Sequence, residues 1–366
     1  MAPAATELGI VLRVLVESEA AAAALPAHEA VVGLPGDPEA IQRLLAHPRP
    51  DVVTWEHEHI PDEVFAACAA AGVPARPGAR ALLHARDKIA MRTLMDSLDI
   101  PGPAWREVAR EEDVAEFVAA HGGRAVLKTA RGGYDGKGVR VIGQASQARD
   151  WLDAAAHGGP RVLIEEAVPF DREIAALVAR RPSGDIAAWV SVESIQRDGV
   201  CSEVIAPAPG LGAVLEARAV EIATRVATAL DVTGVLAVEM FQVGQELVVN
   251  ELAMRPHNSG HWTMDGAVTG QFEQHLRAVL DLPLGDTAPR APVSVMANVL
   301  GGTRGDLTTA LARLTDPGVK VHLYGKEVRP GRKVGHVTVC GTTADAVYER
   351  AVAAAAIVAQ QGDGER

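Results

Sequence analysis

The chain has 366 residues, enough for two or three domains with separate cores. Apolar residues make up 48% and charged residues 22%, the balance of a soluble globular protein. A net charge of −12 disfavours non-specific binding to nucleic acid or to an acidic membrane. No apolar run approaches the roughly 20 residues that span a bilayer. The opening MAPAATELGI lacks the basic start and apolar core of a signal peptide. Cys68, Cys201 and Cys340 form no Cys-x-x-Cys pair, so a reducing cytoplasm is expected, with neither a disulfide scaffold nor a zinc site.

In chain order, VLRVLV (11–16) predicts a strand and DPEAIQRLLAH (37–47) a helix opened by Asp37 and Pro38. DVVTWEH (51–57) predicts a second strand, and PDEVFAACAAAG (61–72) a helix ending at Gly72. This alternation predicts a parallel α/β domain over residues 1–80. RDKIAMRTLMDSLDIPGPAW (86–105) is an amphipathic helix stopped by two prolines, leading into a second domain over 81–290. There the expected order is strand 124–130, a glycine-rich loop at 131–138, strand 139–143 and a helix near 145–156. Strands at 161–168, 173–180 and 186–193 follow, then a helix across 213–230 and a hairpin of 234–243 with 246–254. From about Ala291 a smaller β-rich segment, with strands near 293, 319 and 334, precedes an alanine-rich helix and a frayed tail at 360–366.

Three stretches carry chemistry. In LKTARGGYDGKGVRVI (127–142) four glycines lie between two strands, with Lys128 ahead of them and Lys137 among them. Glycine backbone can point successive N–H groups at an anion, and lysine adds a point charge for phosphate. A bare flexible hairpin is the alternative. GxxxxGK[ST] is absent, and a strand rather than a helix follows, so this is no Walker loop. In VEMFQVGQELVVNEL (238–252) Glu239 and Glu251 interrupt apolar runs, where an unpaired carboxylate is costly. A three-residue loop at 244–246 would set them opposite each other on one face, whereas a two-residue loop would set them on opposite faces. Sharing a face, with Asn250 beside them, they suit Mg²⁺ on nucleotide phosphates. The alternative is one acid in a salt bridge and the other in solvent. The third stretch, RPHNSGHW (255–262), gathers Arg255, His257, Asn258, Ser259 and His261 just after that hairpin.

Two weaker signals complete the reading. VLIEEAVPFDRE (162–173) could offer strand-end backbone to an adenine and a carboxylate to a ribose, or be a solvated strand end. TWEHEHIP (54–61) puts His57 and His59 on one strand face and Glu56 and Glu58 on the other, so a structural or cleft-wall role is expected rather than a metal site.

Together KTARGGYDGKG, EEAVPFDRE, NELAMRPHNSGHWTMDGA and RPGRKVGHV resemble one ATP-grasp family, from about Ala4 to Val358. It is the 5-(carboxyamino)imidazole ribonucleotide synthetase family, the ATP-dependent subunit of phosphoribosylaminoimidazole carboxylase in de novo purine synthesis. The resemblance implies an α/β (α+β ATP-grasp) fold class. A Rossmann-like pre-ATP-grasp domain would cover 1–80, a two-lobed ATP-grasp domain 81–290 and a small β-rich domain 291–366. It implies ATP and Mg²⁺ as cofactors, with Mn²⁺ as a possible substitute, and a homodimer. ATP would be held by Lys88, Lys128, Gly133, Tyr134, Asp135, Gly136, Lys137, Gly138 and Val139, and by Glu165, Glu166, Ala167, Val168, Glu173, Gln196, Asn250 and Glu251. Magnesium would bind Glu239 and Glu251. The implied reaction joins bicarbonate to the amine of 5-aminoimidazole ribonucleotide through carboxyphosphate. Arg255 would bind that anion, Asn258 and Ser259 would orient the imidazole, and His257 or His261 would accept a proton. The spacing does not choose between these histidines, and one of them playing a purely structural role stays open. Lys326, Arg332 and Lys333 would meet the ribonucleotide phosphate, with Tyr134 and Asp135 reaching the same substrate.

The chain departs from that family in three places. The family opens with a strand and a GGGQLGRM-like turn, whereas this chain opens at AATELGIVLRVLV. The expectation is a start set downstream of the natural one; the alternative is a first sheet short of one strand, with two unpaired apolar edges. Gln196 stands where a histidine is usual, and Lys88 where arginine is usual, keeping charge but losing the bidentate fork. A formate-dependent glycinamide ribonucleotide formyltransferase and a non-catalytic ATP-binding remnant are the competing readings.

Overall fold

A computed structural model of the chain describes residues 1–24, 26–46, 48–133, 138–197, 199–302 and 307–359. Tyr134, Asp135, Gly136 and Lys137 of the glycine-rich loop, and the 360–366 tail, lie outside the described residues. At the start, strands β1 (Arg13–Val16) and β2 (Glu29–Val32) run parallel. The helix Pro38–Leu45 opens as expected, the Asp37 carboxylate accepting from the Glu39 amide at 2.9 Å. The helix Asp62–Ala70 closes at Gly72, whose φ of +66° favours glycine.

The strand expected at 51–57 is reduced to one parallel bridge, Val53 with Ala75. Side chains hold this segment away from a ladder. Trp55 packs edge-on against Phe65 at 5.1 Å and donates Nε1 to the Pro77 carbonyl at 3.0 Å, while Glu58 turns to Arg255. Val53, Trp55 and Val64 share one core with Ile174, Ile222 and Leu236, so the first segment packs directly on the second.

A four-stranded antiparallel sheet follows, in the order β3-β6-β4-β5. Its strands are β3 (Trp105–Val108), β4 (Ala125–Thr129), β5 (Val139–Ile142) and β6 (Val162–Glu166). Helices Glu111–Ala120 and Arg149–Ala156 bury Val114, Phe117 and Leu152 on it, against Leu127, Ile142 and Ile164. The remaining strands form one nine-stranded antiparallel sheet. They are β7 (Arg172–Arg180), β8 (Ile186–Ala188), β9 (Val192–Arg197), β10 (Val200–Ala206), β11 (Gly234–Val243) and β12 (Glu246–Ala253). β13 (Val293–Leu300), β14 (Val319–Leu323) and β15 (Lys333–Gly341) complete them. The order is β12-β11-β7-β9-β10-β13-β15-β14, with β8 beside β7. Pairing of β10 with β13 therefore carries the last segment's strands into the same sheet, over a core closed by the helix Ala344–Ala359.

The strand expected over 186–193 is split between β8 and β9. Trp189 turns into the core and the Ser191 amide is taken by the Glu216 carboxylate at 3.0 Å, which interrupts the ladder. The helix Gly212–Ala229 lies as expected, burying Leu215, Ala219, Ile222, Ala223 and Val226 at helical spacing. Among the described residues no helix is long and apolar enough to cross a membrane.

The helix Lys88–Ser97 begins at Asp87, whose carboxylate accepts from the Ile89 and Ala90 amides at 3.1 Å. One turn in, Arg92 is 1% exposed and ties the two sheets together. Its Nε meets Glu165 of β6 at 2.7 Å, and its terminal nitrogens donate to the Val249 and Asn250 carbonyls of β12 at 2.6 and 2.9 Å. Removing one partner of a buried pair strands the other charge. Arg92→Met is expected to lower unfolding stability by about 3 kcal/mol or more, read from urea unfolding. A loss under about 1 kcal/mol, the size of an exposed pair, would show that this contact does not hold the sheets together.

Candidate active site

The hairpin of β11 and β12 sets the two carboxylates. Its turn is two residues, Gly244 and Gln245, because Val243 already pairs with Glu246. Of the two loop lengths the sequence left open, the two-residue one is present. The pairing runs to Met240 with Val249, then slips: Asn250 is an extra residue, and Glu239 pairs with Glu251. This β-bulge restores the opposition that a two-residue turn alone would have destroyed. The bulge is held from both sides. Arg92 takes the Val249 and Asn250 carbonyls, and Lys128 of β4 donates to the Asn250 side-chain oxygen at 3.2 Å.

Charge is distributed unevenly around it. Burial, then the neighbouring Glu251 and Glu173, pushes Glu239 up to about 8. Burial would also raise Glu251, but Lys88, at 2.5 Å, holds it below its ordinary value, helped by Lys128. Burial likewise opposes ionisation of Glu165, and Lys128 and Arg92 overcome it, bringing the acid down to about 2. Lys128 sits 2.7 Å from Glu165, and its own pKa is lowered by burial. Both Glu165 oxygens are therefore engaged by cations, and this acid orients Lys128 inside the fold.

Glu166, Ala167 and Val168, half-buried, span the passage from β6 in one sheet to β7 in the other. Glu173 on β7 is raised by burial, an effect the nearby Gln196 of β9 opposes, and the Gln196 amide donates to Ser194 at 3.1 Å. Gly133 and Gly138 flank the neck of the loop. A Cβ on Gly138, with φ +71°, would come within 2.6 Å of the Thr129 hydroxyl and 3.1 Å of the Gly133 Cα. Val139 pairs with Lys128 across β4 and β5.

Arg255 reaches Glu58 of the first segment at 2.8 Å, an ionic contact without hydrogen-bond alignment. Through Glu58 the TWEHEHIP segment is tied to the RPHNSGHW loop. His257 accepts through Nδ1 from the Ser259 amide, at 3.3 Å, and its Nε2 lies 3.7 Å from Glu239. Asn258 turns towards the buried Cys201 thiol. A histidine titrating near neutrality was expected here, and the structure corrects that. Burial, with Arg255 and Lys333 adding cationic charge, pushes His257 to about 3, and burial with neighbouring histidines does the same to His261.

The basic 324–336 loop divides. Lys333, half-buried on β15, is felt electrostatically by both histidines and by Glu239. Lys326 lies 5.2 Å over the Tyr324 ring, and Arg332 is exposed, donating to the Glu327 carbonyl at 3.2 Å. Arg92 and Gln271 were missed in the sequence. A lone arginine within KIAMRTLM carries no signal of a buried partner, and Gln271 looks like an ordinary helix opener. Among the described residues no group of three or more His, Cys, Asp and Glu gathers to cage a metal. Two opposed carboxylates instead fit a Mg²⁺ that takes its other ligands from phosphate and water.

Two sheets with a buried lysine and paired acids between them are the arrangement of the ATP-grasp class. A model described as "ATP-grasp domain" matches residues 93–272, and one described as "Phosphoribosylaminoimidazole carboxylase C-terminal domain" matches residues 294–350. The chain is 46% identical to N5-carboxyaminoimidazole ribonucleotide synthase of Mycobacterium tuberculosis (strain ATCC 25618 / H37Rv), over 96% of this chain and 83% of the relative. It is 44% identical to the synthase of that name from Corynebacterium ammoniagenes, over 97% and 88%. The crystal structure of the synthetase from Thermus thermophilus superposes with a TM-score of 0.87 at 38% identity, covering 100% of this chain and 96% of that one. The synthase from Aspergillus clavatus, in complex with ADP and 5-aminoimidazole ribonucleotide, gives 0.86 at 28%, over 98% and 94%. The chain belongs to the N5-carboxyaminoimidazole ribonucleotide synthase family.

Glu239 carries a stability consequence. Its folded value of about 8 exceeds its ordinary 4.5. Between those values the folded protein keeps a proton that the unfolded chain releases, so this group's contribution is lost as pH rises across the window. Glu239→Gln removes that loss. Thermal melts without nucleotide or metal should show the variant gaining on wild type between pH 5 and pH 9, and an equal difference at both ends would contradict the assignment.

Proposed function

We propose that this chain uses ATP to join bicarbonate to the amine of 5-aminoimidazole ribonucleotide, giving N5-carboxyaminoimidazole ribonucleotide, ADP and phosphate in purine synthesis. The observation that carries the reading is the opposition of Glu239 and Glu251 across the Asn250 bulge, beside Lys88 and Lys128. Lys128 and the 133–139 loop, including Tyr134, Asp135, Gly136, Lys137 and Gly138, would hold the phosphates. Glu166, Ala167 and Val168 would meet the adenine, and Glu173 with Gln196 the ribose. Glu239 and Glu251 would hold Mg²⁺, which supplies charge neutralisation to the transferring phosphoryl group. A bicarbonate oxygen attacks the γ-phosphorus, the bond to ADP breaks, and carboxyphosphate forms. Arg255 would hold this short-lived anion in a site shielded from water. Carboxyphosphate then releases CO₂ beside the amine, the nitrogen–carbon bond forms, and the departing phosphate takes the amine's proton. Asn258 and Ser259 would orient the imidazole. Lys333 is the best placed cation for the ribonucleotide phosphate, with Lys326 and Arg332 further out. A cytoplasmic homodimer, with Mn²⁺ able to replace Mg²⁺, completes the reading on family resemblance.

The test is phosphate release with Mg-ATP and bicarbonate, with and without 5-aminoimidazole ribonucleotide, against formate plus glycinamide ribonucleotide. Stimulation by the imidazole ribonucleotide alone is expected, and stimulation by the formate pair would overturn the reading. Lys128→Met, which removes a buried charge aimed at the nucleotide, should lower kcat by about 10²-fold or more.

A further inference from the structure

Gln271, the first residue of the helix Gln271–Val279, is fully buried and has no part in the roles above. Its side-chain amide is oriented by the backbone of one residue. The His257 N–H donates to the Gln271 Oε1 at 2.8 Å, and the His257 carbonyl accepts from the Gln271 Nε2 at 2.9 Å. A backbone N–H only donates and a carbonyl only accepts, so the two ends of this amide cannot be exchanged. The same Nε2 lies 2.8 Å from Nδ1 of His261. An amide nitrogen donates and does not accept. His261 must therefore present a lone pair at Nδ1 and carry its ring proton at Nε2.

The surroundings leave Gln271 one pose. Its own N–H donates to the Thr263 hydroxyl at 2.8 Å, which donates to the Gly260 carbonyl at 2.6 Å. Gly260 packs so closely that a Cβ there would sit 2.4 Å from both Oε1 of Gln271 and Cδ2 of Leu177. The His261 ring stacks against Phe272 and His336, with centroids 5.8 and 4.8 Å away. Burial keeps the ring neutral, with histidines and cations around it adding to the effect.

We infer that Gln271 is a positioning residue that locks His261 in its Nε2–H tautomer, so that His261 donates a hydrogen bond to an anionic oxygen in the carboxylation and does not accept the amine's proton. The tautomer follows from the contacts alone; its use in catalysis rests on the function proposed above. A neutral imidazole donor suits an oxyanion, because it stabilises charge that develops without surrendering its own proton. Gln271→Glu reverses the lock, since a carboxylate only accepts and so demands a proton on Nδ1.

The experiment is nitrogen NMR of ¹⁵N-histidine-labelled full-length protein at pH 7, with His261 assigned by its loss in His261→Asn. Steady-state kinetics with 5-aminoimidazole ribonucleotide accompany it. Wild type should show His261 Nδ1 as an unprotonated acceptor nitrogen. Gln271→Glu should show it protonated, with kcat lowered about tenfold or more and KM for ATP within about twofold. Protonated Nδ1 or an averaged tautomer in wild type would overturn the inference. So would a folded Gln271→Glu that keeps either the wild-type tautomer or the wild-type kcat. Should that variant fail to fold, the wild-type spectrum and the tautomer mixture expected of Gln271→Met decide. Wild type inactive towards the imidazole ribonucleotide would sink the proposed reaction, and with it the role of His261 as a donor there, while the spectrum still judges the lock.

Discussion

The Arg92 guanidinium sits in the seam between the four-stranded and nine-stranded sheets, and Glu165, Lys128 and the bulge at Asn250 are placed through it. A charge in that seam is tolerable only when its donors are all matched. Arginine's planar fork engages all three of its nitrogens, one on a carboxylate and two on carbonyls spread wider than a lysine's single nitrogen reaches. The carboxylate it takes, Glu165, also fixes Lys128, and the carbonyls it takes flank the bulge at Asn250. Lys128 then reaches back to Asn250, so the chain of contacts closes on itself.

That closure has an electrostatic result. Three cations, Lys88, Arg92 and Lys128, crowd around Glu251 and Glu165, and both acids are held ionised. Glu239, opposite Glu251, is raised to about 8 by burial and by the Glu251 and Glu173 carboxylates beside it, against the weaker pull of Lys333 and Arg255. The two acids of the pair therefore differ in charge near neutral pH. On the far side, Arg255 links the RPHNSGHW loop to Glu58 of the first segment, and Lys333 supplies positive potential from the last. All three parts of the chain therefore contribute to one cleft.

Much of this was legible in the sequence, though not always for the reason first given. Glu239 and Glu251 do oppose each other, yet with the two-residue turn that alone would have separated them, offset by a bulge at Asn250. Nothing local announces that bulge, and Arg92, which holds its carbonyls, lies 158 positions from Asn250. β3 reads WREV and β10 reads VCSEVIA. Neither shows a clear alternation of apolar and polar residues, since each carries charge within its pairing run. The strand expected at 51–57 failed through side-chain anchors that only the folded neighbours supply. Near-neutral histidines were assumed from the ordinary value of an exposed ring, and burial moved them.

In the reaction proposed above, bicarbonate is phosphorylated before carbon reaches the amine. Bicarbonate labelled with ¹⁸O tests it most directly, with the isotopic content of the released phosphate read by mass spectrometry or ³¹P NMR. If carboxyphosphate forms, the bridging oxygen stays with phosphorus and the phosphate carries one label per turnover. Unlabelled phosphate, formed while 5-aminoimidazole ribonucleotide is carboxylated, would contradict the account.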